Sequence, residues 1–259
     1  MYQLADSHVH LDDTSFDADR LEVIARARAA GVSTQIIPAI TAASWAPIEE
    51  LCGGHADLHP AYGLHPMFLA QHHPSHVSSL RRWLSEHRAV AVGEIGLDYF
   101  VEGLDRQQQH EYFRSQLELA REFELPVIVH ARRAMEEVTL QLRKVGGLRG
   151  VVHSFSGSEE QARQLWKLGF YLGIGGPVTY PRAQRLRRLV ANMPIEYLLL
   201  ETDAPDQPDA NHRGMRNEPA RVHDIAHCIA ELRGETPEAI ANITLSNTCQ
   251  LFGLTQATP

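Results

Sequence analysis

Cysteine is scarce in this 259-residue chain, and its three copies, Cys52, Cys228 and Cys249, lie far apart. They form no CxxC pair, which argues against a disulfide framework and against a cysteine-built zinc site. No apolar run reaches membrane-spanning length, and the N-terminus lacks a basic stretch followed by an apolar one. Positive charge is in deficit: 24 Lys and Arg against 32 Asp and Glu leave a formal charge of −8. That disfavours a broad electrostatic nucleic-acid binder, but not an enzyme that holds a few phosphates in one pocket. No Pro/Gly/Ser-rich linker divides the chain, and the phosphate-binding fingerprint GxGxxG is missing after the first strand-like segment. The expectation is a single domain over residues 1–259, soluble and in a reducing cytoplasm, with 44% hydrophobic residues to build its core.

What the chain does have is alternation. Short apolar runs at 4–10, 34–40, 58–63, 90–95, 127–130, 150–153, 171–175 and 197–201 read as strands. Amphipathic stretches at 17–30, 44–52, 75–87, 106–122, 135–145, 159–168 and 181–191 read as helices, and two more follow near 219–233 and 237–251. Gly31 and Gly169 stand where helices should stop. Parallel strands need crossover connections, so these eight β–α alternations predict an α/β protein, a (β/α)8 TIM barrel with a C-terminal helical extension.

In such a barrel every strand ends at one face, and that face carries the chemistry. The first strand ends in His8 and His10, two apart and therefore on one side, roughly 7 Å from each other along the backbone. The third leads into His65, the fourth carries Glu94, the fifth ends at His130, the sixth at His153, and the eighth runs on to Asp203. One histidine at a strand end is more often a hydrogen-bonded rim residue than a ligand. Together they carry weight, because charged and imidazole groups seldom follow Val/Ile/Leu runs unless paired or bound to metal. Four His, one Glu and one Asp suffice for two divalent ions. Gly93 and Gly96 flank Glu94 and suit a close backbone approach there.

Taken in order, Asp6-Ser-His-Val-His10, Gly63-Leu-His-Pro66, Val92-Gly-Glu-Ile-Gly-Leu-Asp-Tyr99, Val129-His-Ala-Arg132, His153-Ser-Phe-Ser-Gly157, Leu200-Glu-Thr-Asp-Ala-Pro205 and Asn217-Glu-Pro219 resemble the motif set of the TatD-type metal-dependent hydrolases. The likeness spans nearly the whole chain. It implies an amidohydrolase-like barrel that hydrolyses ester bonds, typically a DNase working from the 3′ end of single strands with two divalent ions, Zn, Mn or Mg. It implies further that His8, His10 and Asp203 hold one ion, that His130 and His153 hold the other, and that Glu94 bridges both. Asp203 would also accept the proton of the attacking water, while His65 and Glu218 would line the substrate site. Arg133 departs from the family pattern, standing where many relatives carry Asp.

Other features are read from the residues alone. Arg132, Arg133, Arg213 and Arg216 lie just past ligand-bearing segments, where a guanidinium grips phosphate bidentately; Arg132 is the expected substrate contact. Tyr99 and Phe100 read equally as base-stacking or loop-packing residues. The basic run Arg182, Arg185, Arg187 and Arg188 reads as a solvated helix face, and residues 71–76, rich in histidine, as surface loop. His223 and His227 have helical spacing but no HExxH glutamate between them. The resemblance implies a nucleic-acid or small phosphodiester substrate, and the acidic total charge favours short or end-on engagement over long duplexes. Two alternatives share the residues: a metal-dependent ester or amide hydrolase, such as one removing D-amino acids from tRNA, and a metal-stabilised binding protein without catalysis.

Overall fold

The computed structural model describes residues 2–255. Its strands are β1 (Leu4–Asp6), β2 (Val32–Pro38), β3 (Leu58–Tyr62), β4 (Ala91–Asp98), β5 (Val127–Arg132), β6 (Gly150–Val152), β7 (Phe170–Ile174) and β8 (Leu198–Leu200), in one sheet ordered β1 to β8. Between them run α1 (Arg20–Ala29), α2 (Trp45–Gly53), α3 (Ser75–Glu86), α4 (Arg106–Glu122), α5 (Met135–Val145), α6 (Glu159–Lys167) and α7 (Gln184–Asn192); α8 (Val222–Arg233) and α9 (Pro237–Phe252) follow β8. This is the (β/α)8 fold with C-terminal helices that the alternation predicts. No described helix is long and apolar enough to cross a membrane. The described residues divide into two compact units, 2–37 with Ser154–Ser158 and 171–255, and Pro38–His153 with Glu159–Phe170.

In the first unit β1 pairs with β2 and β7 with β8, all parallel. The start and end of the strand series meet here: Ser7 N–H donates to Leu200 O and Asp203 N–H to His8 O, both at 2.9 Å. β1 is shorter than the predicted 4–10. Beyond it the Asp6 carboxylate takes over as acceptor, receiving His8 N–H at 3.2 Å and Thr202 N–H at 2.9 Å. His8 and His10 therefore stand on an irregular segment after the strand, not on the strand itself. The last helix has legible ends: the Thr236 hydroxyl accepts from Ala239 N–H at 3.2 Å, Pro237 opens the first turn, and Gly253 closes it at φ 66°. Asn247 on α9 donates to Ile195 O and Leu198 O at 2.9 Å each, fastening the helix to the start of β8.

In the second unit β3, β4, β5 and β6 pair in sequence order, again parallel. The register sets Gly96 opposite His130, and a Cβ at Gly96 would lie 2.0 Å from His130 O. At Gly93 it would lie 2.6 Å from Ile128 Cβ, so the close approach expected around Glu94 is present on both sides of it. β4 also runs three residues further than predicted, to Asp98. The reason lies on α4, where Gln109 and Gln116 are seven apart and so share a face. Gln109 accepts from Asp98 N–H at 2.8 Å and donates to Asp98 O at 2.9 Å. Gln116 accepts from Leu64 N–H at 2.7 Å and donates to Leu64 O at 3.2 Å. Two buried amides thus complete the hydrogen bonding of backbone at the ends of β3 and β4, where an unpaired group would be costly. Replacing Gln116 by Leu should leave both Leu64 groups unpaired and cost about 2–4 kcal/mol. Urea denaturation should show a lower midpoint with an unchanged slope.

Candidate metal centre

The second unit places one carboxylate among three imidazoles. Glu94, only 2% exposed on β4, directs Oε1 at His153 Nε2 (2.7 Å), His65 Nε2 (2.9 Å) and His130 Nδ1 (3.2 Å). Burial pushes His65 down to about 4, outweighing the attraction of Glu94, so its ring is neutral at pH 7; its Nδ1 accepts from Met67 N–H at 3.2 Å, which puts the ring proton on the Nε2 that faces Glu94. His65, Glu94 and His130 bring ligand atoms within 4.8 Å of one another, as a metal ion requires. His65 therefore stands beside Glu94 and His130 in one group of side chains.

His130 is oriented from behind. Its Nε2 lies 2.9 Å from Asp98 Oδ2, while Asp98 Oδ1 accepts from Phe100 N–H at 2.8 Å and Val101 N–H at 3.0 Å. Burial alone would raise Asp98, but the hydrogen bond to His130 and the two amides prevail and hold it at about 2. Burial would likewise lower His130; its bonds to Asp98 and Glu94 hold it above the ordinary imidazole value. A carboxylate that fixes a ring through one nitrogen and leaves the other facing the ligand cluster is the usual support of a metal-binding histidine. Asp98 stood in the sequence motif without a role; its spacing from His130 in the sheet gave no sign of it.

The first unit builds a second cluster. His8 Nε2 and His10 Nε2 lie 3.1 Å apart, and Asp203 Oδ1 is 3.5 Å and 3.7 Å from them. Behind His8, burial raises the Asp6 carboxyl to about 7 against hydrogen bonds from Thr202 and His8. Asp203 is set by its neighbours: Gln207 Nε2 donates to its Oδ2, and Gln207 Oε1 in turn accepts from Ser154 Oγ at 2.9 Å. Ser154 N–H donates to Glu201 at 2.5 Å. Ser154, Asp203 and Gln207 all hold left-handed backbone, at φ 47°, 56° and 51°. Non-glycine residues seldom keep it, and where they do the cluster commonly marks a functional site. Nothing in the hydrophobic pattern announces Gln207 or Ser154.

The remaining expected residues sit elsewhere. Glu218 is gripped by Arg26 of α1, at 2.7 Å to Nη2 and 3.0 Å to Nε, so its carboxylate is engaged in an ion pair within the first unit. Arg216 is likewise committed, to Asp19 at 2.7 Å and 2.8 Å, and is not a free phosphate ligand. Arg132 ends β5 exposed, its guanidinium 3.6 Å from the Phe100 ring centroid. Asp209, His212 and Asp224 also bring ligand atoms within 4.8 Å, but the Arg221 guanidinium contacts His212 Nε2, a fixed cation where a metal would need a lone pair.

Known proteins resemble this chain along its length. A family model described as TatD related DNase matches residues 5–253. The uncharacterized metal-dependent hydrolase YjjV of Escherichia coli (strain K12) is 39% identical, the match covering 96% of this chain and 97% of that protein. Its crystal structure, described as a TatD homolog, matches with a TM-score of 0.94 over 97% of this chain and 98% of that one, at 38% identity. The 3'-5' ssDNA/RNA exonuclease TatD of Rahnella sp. (strain Y9602) is 34% identical over 95% of this chain and 97% of its own. If Asp98 orients His130 as its position indicates, Asp98→Asn should weaken divalent-metal binding about 10–100-fold. Competition against a fluorescent chelator measures this, with circular dichroism as the check on folding.

Proposed function

We propose that this chain, which belongs to the TatD related DNase family, uses its ligand clusters to hold two divalent ions for hydrolysing phosphodiester bonds at the 3′ end of single-stranded DNA. The observation that carries this reading is Glu94, a buried carboxylate shared by three imidazoles, on a chain that also joins His8, His10 and Asp203. The donor set fits: mixed imidazole and carboxylate ligands suit divalent ions such as Zn or Mn, and Mg is the hard-ion alternative. His8, His10, Glu94, His130, His153 and Asp203 are the side chains that would hold these ions. When bound, such ions supply Lewis acidity and bring the pKa of water toward neutrality.

The chain's own groups then divide the work. Asp203, held by Gln207, accepts the proton of the attacking water, the task of a general base set within reach of its substrate. His65, neutral at pH 7, orients that water or a phosphate oxygen. Arg132 offers a planar fork to phosphate, matched to two oxygens at once. Glu218 acts at one remove, its pairing with Arg26 holding the segment that follows Asp203. The acidic chain favours short or end-on contacts over long duplexes. The exonuclease description of the Rahnella relative is in keeping with this, and three cysteines outside any disulfide suit a reducing cytoplasm.

The deciding experiment uses end-labelled single-stranded DNA and metal-stripped protein reloaded with Mg, Mn or Zn. The wild type should shorten the strand stepwise from the 3′ end. Glu94→Gln, purified identically, should be slower by more than about 100-fold, beyond the loss of an outer-shell partner. Absence of shortening with metal loading confirmed, together with cleavage of an aminoacyl ester, would move the assignment to ester hydrolysis.

A further inference from the structure

Past the ligand cluster of the second unit, three residues form an arrangement that metal binding leaves unused. Phe100 is 43% exposed, unusual for a large aromatic beside a buried site. Two guanidiniums lie over it, Arg132 at 3.6 Å and Arg133 at 4.6 Å from the ring centroid. Neither arginine has a carboxylate partner among the described residues, although the chain carries an excess of acids. Arg133 also holds left-handed backbone at φ 54°, a conformation a bulky side chain avoids without constraint.

The arrangement is rigidly mounted. Arg132 is two residues beyond His130 on β5, so both side chains share a side of the strand, about 7 Å apart. Tyr99 N–H donates to Arg132 O at 2.9 Å, and Phe100 N–H donates to the Asp98 carboxylate that also holds His130. One carboxylate therefore positions both the ligand histidine and the aromatic platform. Guanidinium stacked on a ring keeps its N–H donors at the edge for an anion, and an exposed aromatic offers a face to a base.

Resting on the nuclease reading above, we infer that Phe100, Arg132 and Arg133 form a subsite for the nucleotide one step upstream of the two that flank the scissile bond, its phosphate on the two guanidiniums and its base on the aromatic platform. The ligand class is a single-stranded nucleic acid with at least two consecutive phosphodiesters. Arg133, the departure from the family pattern, becomes a determinant of strand over single phosphodiester.

The test compares kcat/KM for a dinucleotide and for a trinucleotide extended by one nucleotide upstream of the scissile bond, with metal-loaded protein. In the wild type the added nucleotide should raise kcat/KM about tenfold, mainly through KM, as expected for one stacked base and its phosphate. In Phe100→Ala and in Arg133→Asn, whose side chain tolerates left-handed backbone, that gain should fall below about threefold. The ratio is taken within each protein, so a general loss of activity cancels. The salt dependence of trinucleotide KM should also become shallower by about 0.7 in log–log slope for Arg133→Asn, because one phosphate is no longer neutralised by a guanidinium. If the wild type shows the gain and both variants keep it with an unchanged slope, the subsite is wrong and the nuclease reading stands. If the wild type cleaves neither substrate under metal-loaded conditions, the nuclease reading fails and the subsite with it.

Discussion

A carboxylate withdrawn from water must be compensated, and Glu94 is almost wholly withdrawn. Three imidazoles supply the compensation, and much of the second unit holds them in place. The two glycines beside Glu94 let β4 lie against β5, which sets His130 in register with Gly96. Asp98 turns the His130 ring, and Gln109 on α4 fixes the backbone of Asp98. Gln116, two turns further along the helix, does the same for Leu64, the residue before His65. The site is supported by side-chain amides that reach strand ends from a helix, so its geometry depends on α4 as much as on the sheet.

The arrangement also leaves cationic groups beside the second unit's cluster in a protein with a net charge of −8. The carboxylates of both clusters face imidazoles, and Asp19 and Glu218 are neutralised by Arg26 and Arg216. Arg132 and Arg133, without carboxylate partners among the described residues, stand together at Phe100 instead. Net charge describes the approach at long range; the balance within a few ångströms of the site decides what it retains.

The sequence made the alternation of elements and the ligand residues legible, because both leave local signatures: apolar runs of strand length, and imidazole or carboxylate groups stranded at their ends. It put His8 and His10 on a strand, since apolar periodicity cannot see a side chain such as Asp6 replacing a ladder bond. It offered Glu218 and Arg216 as available, because ion pairs formed between distant segments have no sequence signature. Asp98, Gln109 and Gln116 went unassigned for a related reason. Each acts by hydrogen bonding to a group that sequence proximity does not point to, and a polar residue in a helix or loop looks the same whether it meets water or backbone.

The joining of β8 to β1 has a consequence in time. The ligands of the second unit, from His65 to His153, lie on consecutive strands whose pairings are relatively local. In the first unit His8 waits for Asp203, almost the whole chain later, and β1 waits for β8. Loop-closure entropy rises with that separation, and contacts of this kind form late and slowly. As the chain leaves the ribosome N-terminus first, the Glu94 cluster has all its residues while the partner carboxylate of His8 is still unmade. Maturation is therefore ordered, with the Glu94 cluster assembled before Asp203 reaches His8 and His10.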